Sequence, residues 1–305
     1  TMSQAVYSDF LESIVNILTG IAAIFVVRYA AKPADRGHPY GHGKIEYISA
    51  AFEGLLIFIA AVMIFWEAFS VLFAPNPAHQ LGIGAAIVFV CGVANLALGV
   101  WLKRLGVRIG TPAIVANGEH IISDFYTSAG VTLGLAIAYV TGLSWIDPLV
   151  AILVGGHLGW TGLRVVRHSM GGLLDEEDFG YLRDLERAFS LVDFGDIIQI
   201  HHVRILRSGR FHHIDAHVVV PEFWNVAEAH DRTEEFEKRL LAEYRQPGDL
   251  RLHIDPCRRA YCRHCDVRNC PIRLQAFENR IEIDLESMIG PEAASFLFKK
   301  SQKNI

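Results

Sequence analysis

The residues best placed to do chemistry are a histidine and an aspartate at the head of an apolar run. In Asn117-Gly-Glu-His-Ile-Ile-Ser-Asp124, His120 and Asp124 stand four apart, so on a helix they share one face, a turn from each other. Phe125 to Val140 is rich in Val, Leu, Ile, Ala and Gly and reads as a membrane span. Ionisable ligand-type side chains are costly inside a span, so a function is expected of them there. Near the N-terminus, Asp9, Glu12, Ser13 and Asn16 fall at i, i+3, i+4 and i+7, again one helical face. Carboxylate, amide and imidazole together suit a borderline divalent cation such as Zn²⁺, Fe²⁺, Co²⁺ or Mn²⁺. Because such ligands shed protons to bind a metal, the same groups allow metal to be exchanged for protons. The bland alternative is interhelical hydrogen bonding that only packs a bundle.

Two further clusters carry metal-ligating side chains. In Lys32-Pro-Ala-Asp-Arg-Gly-His-Pro-Tyr-Gly-His-Gly-Lys44, a loop shaped by Gly and Pro, Asp35, His38 and His42 can converge on one ion. The other is Cys257-x4-Cys262-x2-Cys265-x4-Cys270-Pro271. Four close-set thiolates suit a structural, tetrahedral Zn²⁺. They also suit a [4Fe–4S] cluster, for which a cysteine followed by proline speaks. His264 can replace one thiol.

The elements that must position these groups are legible in the composition. The chain has 305 residues, 51 % of them apolar, and a mean hydropathy of +0.28, with the excess in its first half. A net charge of −5 gives no reason to expect nucleic acid. Apolar runs over about 4–29, 48–73, 81–102, 114–140 and 146–166 each approach the roughly 20 residues that cross a bilayer as a helix, so five spans are expected. Arg28, Lys32, Arg36 and Lys44 lie between the first two runs, Lys103, Arg104 and Arg108 between the third and fourth, and Arg164 and Arg167 at the end of the fifth. The other two loops have neither Lys nor Arg, which puts the charged loops and the polar C-terminal half in the cytoplasm. That half reads as helix 179–191, strands 197–206 and 211–220, helix 226–244 and strand 250–254, an αββαβ order that suggests a ferredoxin-like α+β domain. An amphipathic stretch, 273–288, follows the cysteines. No Ser-His-Asp order, P-loop or Gly-rich dinucleotide turn is present, so no enzyme is expected.

Taken together, Pro33-Ala-Asp-x-x-His-x-x-Gly-His-Gly-Lys44 after one span, His120-x-x-x-Asp124 in a later one and a histidine-bearing αββαβ domain resemble the cation diffusion facilitators, over roughly residues 5 to 255. The resemblance implies a homodimeric, proton-coupled exporter of divalent metals, with a transport site on Glu12, Asn16, His120 and Asp124. Asp9, one turn further out, is an entry or substitute ligand. It implies a loop site on Asp35, His38 and His42, and a regulatory cytoplasmic site on His201, His217, His230, His253 and Asp255. His202, His212 and His213 are extra. Many members have Asp or His where this chain has Glu12 and Asn16, and the amide leaves one fewer negative charge. Members usually carry six spans, so the first family span is expected to be missing from this sequence. The Cys257 to Cys270 cluster lies outside the common family pattern.

The expected organisation is a transmembrane transport domain at 1–172, a cytoplasmic metal-binding and dimerisation domain at 173–256, and a cysteine-rich extension at 257–305. The expected function is export of Zn²⁺ or Fe²⁺, with Co²⁺ and Mn²⁺ in range, against protons across a membrane, with a bacterial inner membrane favoured through the resemblance. The rival from another class is a membrane-anchored metal or redox sensor, working through the cytoplasmic domain and the cysteines.

Overall fold

The computed structural model describes residues 20–73, 83–141, 145–259 and 261–291. The chain divides into two compact units, Thr1–Leu174 and Asp175–Ile305, and the cysteine-bearing segment groups with the second.

The first unit is helical. Among its described residues run α1 (Gly20–Ala30), α2 (Ile45–Phe73), α3 (Ile83–Ile109), α4 (Pro112–Thr141) and α5 (Ile146–Leu173). These helices fall where the five apolar runs lie. Within α2 and α5, Ile45–Ser70 and Pro148–Leu173 are long and apolar enough to cross a membrane. α4 opens on Pro112, whose fixed φ and missing N–H suit a first helical position. α2 packs along α5 and α3 along α4, while α4 also touches α2 and α5. Small residues set the closest approaches. A Cβ added at Gly162 of α5 would stand 2.7 Å from the Gly54 carbonyl oxygen of α2, and one at Gly118 of α4 would stand 2.9 Å from the Gly99 carbonyl oxygen of α3. Backbones that meet this closely gain packing that lipid alone does not supply. Two of the four positions flank the ligand-type residues, Gly54 next to Glu53 and Gly118 two before His120.

The second unit is a two-layer α/β arrangement. α6 (Phe179–Leu191) and α7 (Val226–Glu243) cover one face of a three-stranded sheet built from β1 (Gln199–Ser208), β2 (Phe211–Val220) and β3 (Gly248–Pro256). β2 is central, antiparallel to β1 and parallel to β3. Side-chain caps fix where the helices start: Asp178 accepts from the Gly180 N–H, and Asn225 from the Glu228 N–H at 2.9 Å. Ile214, Ala216 and Val218 of β2 are buried under Leu185, Phe189, Phe236 and Leu240, with Phe189 and Phe236 stacked 6.3 Å apart. The alternate residues Asp215 and His217 face outward, as the period of two expects.

Elements expected from the sequence recur with small shifts. β1 begins two residues later than expected and β3 extends beyond 250–254 at both ends. The stretch 273–288 is irregular apart from the start of α8 (Leu285–Ile289), which a capping box between Asp284 and Ser287 secures.

Candidate metal centres

Within the bundle, α4 holds His120 buried and Asp124 half-buried, one turn apart. Across from them, α2 brings in Glu53, only 4 % exposed. Asn117, one turn before His120, donates to Glu53 Oε1 at 3.3 Å, and His120 interacts electrostatically with the Glu53 carboxylate. Glu53 Oε2 has no hydrogen-bond partner among the described residues. The sequence reading missed Glu53 and Asn117, although a carboxylate in an otherwise apolar run was signal enough to find the first. Asp9, Glu12 and Asn16 lie outside the described residues. On the neighbouring side, Lys103 pairs with Glu119 at a cavity of about 590 Å³ that Tyr126, His157 and Arg164 also line.

The loop between α1 and α2 gathers its three expected residues. His38 Nδ1 and His42 Nε2 each stand 3.4 Å from an Asp35 carboxylate oxygen, and the two rings lie 4.2 Å apart. The Gly37 and His38 N–H groups donate to Asp35 Oδ1 at 2.8 and 2.7 Å. Those bonds, the one from His38 foremost, hold the Asp35 carboxyl below its ordinary range. Gly41, at φ +80°, makes the turn that returns His42 to the carboxylate. His42 is buried and rests edge-on against Tyr29.

On the outer face of the sheet, register alone lines up three histidines. His201 of β1 pairs with His217 of β2, which pairs with His253 of β3. Asp255, two residues further along β3, reaches His217 Nδ1 at 3.0 Å, His201 Nε2 at 3.5 Å and His253 Nε2 at 3.5 Å. His201, His217 and Asp255 are close enough together to share one ion. The pairing shifts register between His201 and Arg204, where His202 sits at φ +50°. This bulge keeps Ile200 and Val203 in the core while His201 stays on the outer face. Burial pushes the His201 imidazole down to about 4 against the opposing pull of Asp255, so it is neutral near pH 7, the form that binds a metal. His230 lies on α7 and is not gathered with the triad. His212 and His213 have other partners, Tyr244 at 2.7 Å and Asp249 at 2.6 Å.

The four clustered cysteines are free thiols, with Cys257, Cys262 and Cys265 buried and Cys270 half-buried. Burial pushes the Cys265 thiol up, opposed by the Val267 N–H and by Arg273.

The first unit thus carries buried ligand-type side chains and two helices of membrane-crossing length, and the second a histidine–aspartate face close enough to share an ion. Residues 1–174 match the family described as the cation efflux transmembrane domain, and residues 188–257 match the cation efflux protein cytoplasmic domain. The chain belongs to this cation efflux, or cation diffusion facilitator, family, as a membrane protein with a cytoplasmic domain. It is 34 % identical over 258 residues to a protein of Synechocystis sp. named uncharacterized transporter sll1263, covering 84 % of this chain and 82 % of the relative. It is 30 % identical over 262 residues to cation-efflux pump FieF of Yersinia pestis, covering 84 % and 85 %. The FieF of Yersinia pseudotuberculosis matches to the same extent.

Proposed function

We propose that this protein exports divalent transition-metal cations, Zn²⁺ or Fe²⁺ with Co²⁺ and Mn²⁺ in range, from the cytoplasm in exchange for protons. The observation that carries the reading is the polar set inside the bundle, His120 and Asp124 of α4 beside the buried Glu53 of α2. Such groups are costly in a span unless they serve an ion pathway. Glu12 and Asn16, with Asp9 as entry or substitute ligand, complete the transport site in this reading. Carboxylate and imidazole exchange a proton for the metal as it enters and leaves. The chain is a multi-pass protein of a bacterial inner membrane, works as a homodimer, and catalyses no reaction. Asp35, His38 and His42 form a loop site. His201, His217 and Asp255, with His253 alongside, form a regulatory one.

Membership of an efflux family speaks for transport over a membrane-anchored sensor, and a sensor does not account for ligands held inside the bundle. The test is flux in proteoliposomes carrying an imposed pH gradient, with a metal-sensitive dye and a pH-sensitive dye read together. Metal uptake is expected with opposite proton movement, and both signals should fall to background in His120→Ala. Metal flux that is indifferent to the pH gradient overturns the exchange.

A further inference from the structure

We infer that Cys257, Cys262, Cys265 and Cys270 hold a thiolate-bound metal centre that staples the segment 257–291 to the sheet. This centre is separate from the transport and histidine sites. The first support is the make-up of the segment's interior. Among the described residues its fully buried apolar side chains are Cys257, Tyr261, Cys262, Cys265, Val267 and Met288, three of the six being cysteines, with Ile272, Ile281, Ile283, Leu285 and Ile289 only partly buried around them. Among the described residues its only helix is α8. A stretch with so little apolar core needs a crosslink or a metal to hold one conformation.

The second support is what the backbone offers the sulfurs. The Leu274 N–H donates to Cys262 Sγ at 3.4 Å, and the Val267 N–H to the Cys265 sulfur. Arg273 spans the loop, donating to the carbonyls of Cys262 at 3.1 Å, Cys265 at 2.8 Å and Val267 at 2.8 Å. Backbone N–H groups directed at cysteine sulfur are the hydrogen bonds that surround ligating cysteines in metal and cluster sites, and Arg273 fixes the loop that carries them. Buried unliganded cysteine, behaving as a small apolar residue, needs none of them.

The third support is the backbone beside the ligands. Arg258 and Arg259, just after Cys257, and Asn269, just before Cys270, sit at φ +46°, +55° and +56°. Non-glycine residues pay strain there, and such strain gathers where a loop must wrap a ligand. No three of the four sulfurs stand within 4.8 Å of one another. A tetrahedral Zn²⁺ with Zn–S near 2.3 Å needs them about 3.8 Å apart, so a single zinc ion requires the thiols to draw together on binding. An iron–sulfur cluster, being larger, accepts a wider set. Either group would anchor the end of β3, since Cys257 packs with Val219 and Tyr261 and follows Asp255 by two residues.

The test uses the full-length protein, purified without oxygen, with metal and sulfide analysed in the wild type, in the variant with all four cysteines changed to serine, and in His217→Ala. One zinc per chain in excess of the serine variant, or iron with acid-labile sulfide that the serine variant lacks, is expected in the wild type and in His217→Ala. The element found says which thiophilic centre it is. A content that the serine variant leaves unchanged overturns the inference. If that variant does not fold, the wild type is stripped with chelator and titrated with Co²⁺. A thiolate-to-cobalt charge-transfer band is then expected, and its absence overturns the inference. Cys270→His, which keeps a zinc-competent ligand, should retain zinc where Cys270→Ser loses affinity tenfold or more.

Discussion

Glu53 is where residue-scale chemistry is most open to test. Its carboxylate is buried on α2, held by Asn117 and close to His120. Asn16 of the proposed transport site carries no charge, and Glu53 can supply the negative charge a divalent cation requires. Glu53→Gln keeps an acceptor for Asn117 and removes only that charge. It should raise the KM for metal in proteoliposome flux by roughly tenfold, a difference of about 1.4 kcal/mol. An unchanged KM would reduce Glu53 to a packing residue. In the second unit, His217→Ala removes the central histidine of the proposed site and should abolish calorimetric metal binding there. Binding that persists unchanged would exclude His217 as a ligand. His120 with Asp124, and Asp35 with His38 and His42, were legible because each set lies on one short segment. Glu53 facing His120 was not, because that approach depends on α2 packing against α4.

At the scale of elements, the α2–α5 crossing depends on a missing side chain. Gly162→Val would press its Cβ onto the Gly54 carbonyl and cost about 1–3 kcal/mol through overpacking. The melting temperature in detergent should fall clearly, and an unchanged value would mean that the crossing is looser than it looks. In β2, burial foremost, and then Arg207, push His212 down from 6.5 to about 4. The unfolded chain therefore takes up its proton first, and stability rises with pH between those values. His212 contributes its full share above about pH 6.5 and loses it as pH falls toward 4, on the order of 3 kcal/mol in all. With chelator present, the urea midpoint of residues 175–291 expressed alone should drop between pH 7 and 5. His212→Asn, which does not titrate, should lessen that fall by roughly half, His201 being pushed down to about 4 by burial in the same way; no fall in the unaltered unit would contradict the burial argument. The alternating pattern of β2 could be read from sequence because period-2 burial leaves a direct mark. The bulge at His202 could not, since two adjacent histidines do not reveal which of them is the extra residue. The stretch 273–288 has amphipathic composition, yet its arginines serve carbonyls and carboxylates in a loop, as Arg273 and Arg280 show.

At the scale of the molecule, the chain combines a bundle that buries polar groups with a sheet whose histidine–aspartate face comes from strand register. The division near residue 174 was visible as a change in composition, because a bilayer and water select different side chains. The place of the cysteines in the second unit was not, since spacing alone does not say what a loop packs against. The central claim is exchange of metal for protons through the His120 and Asp124 face. It is tested most directly by Zn²⁺ and Fe²⁺ uptake into proteoliposomes under a pH gradient, comparing the unaltered chain with Asp124→Ala. Uptake coupled to proton counterflow should fall to the level of empty vesicles in the variant, while its melting temperature stays the same. Undiminished proton-coupled uptake in a folded Asp124→Ala would contradict the account.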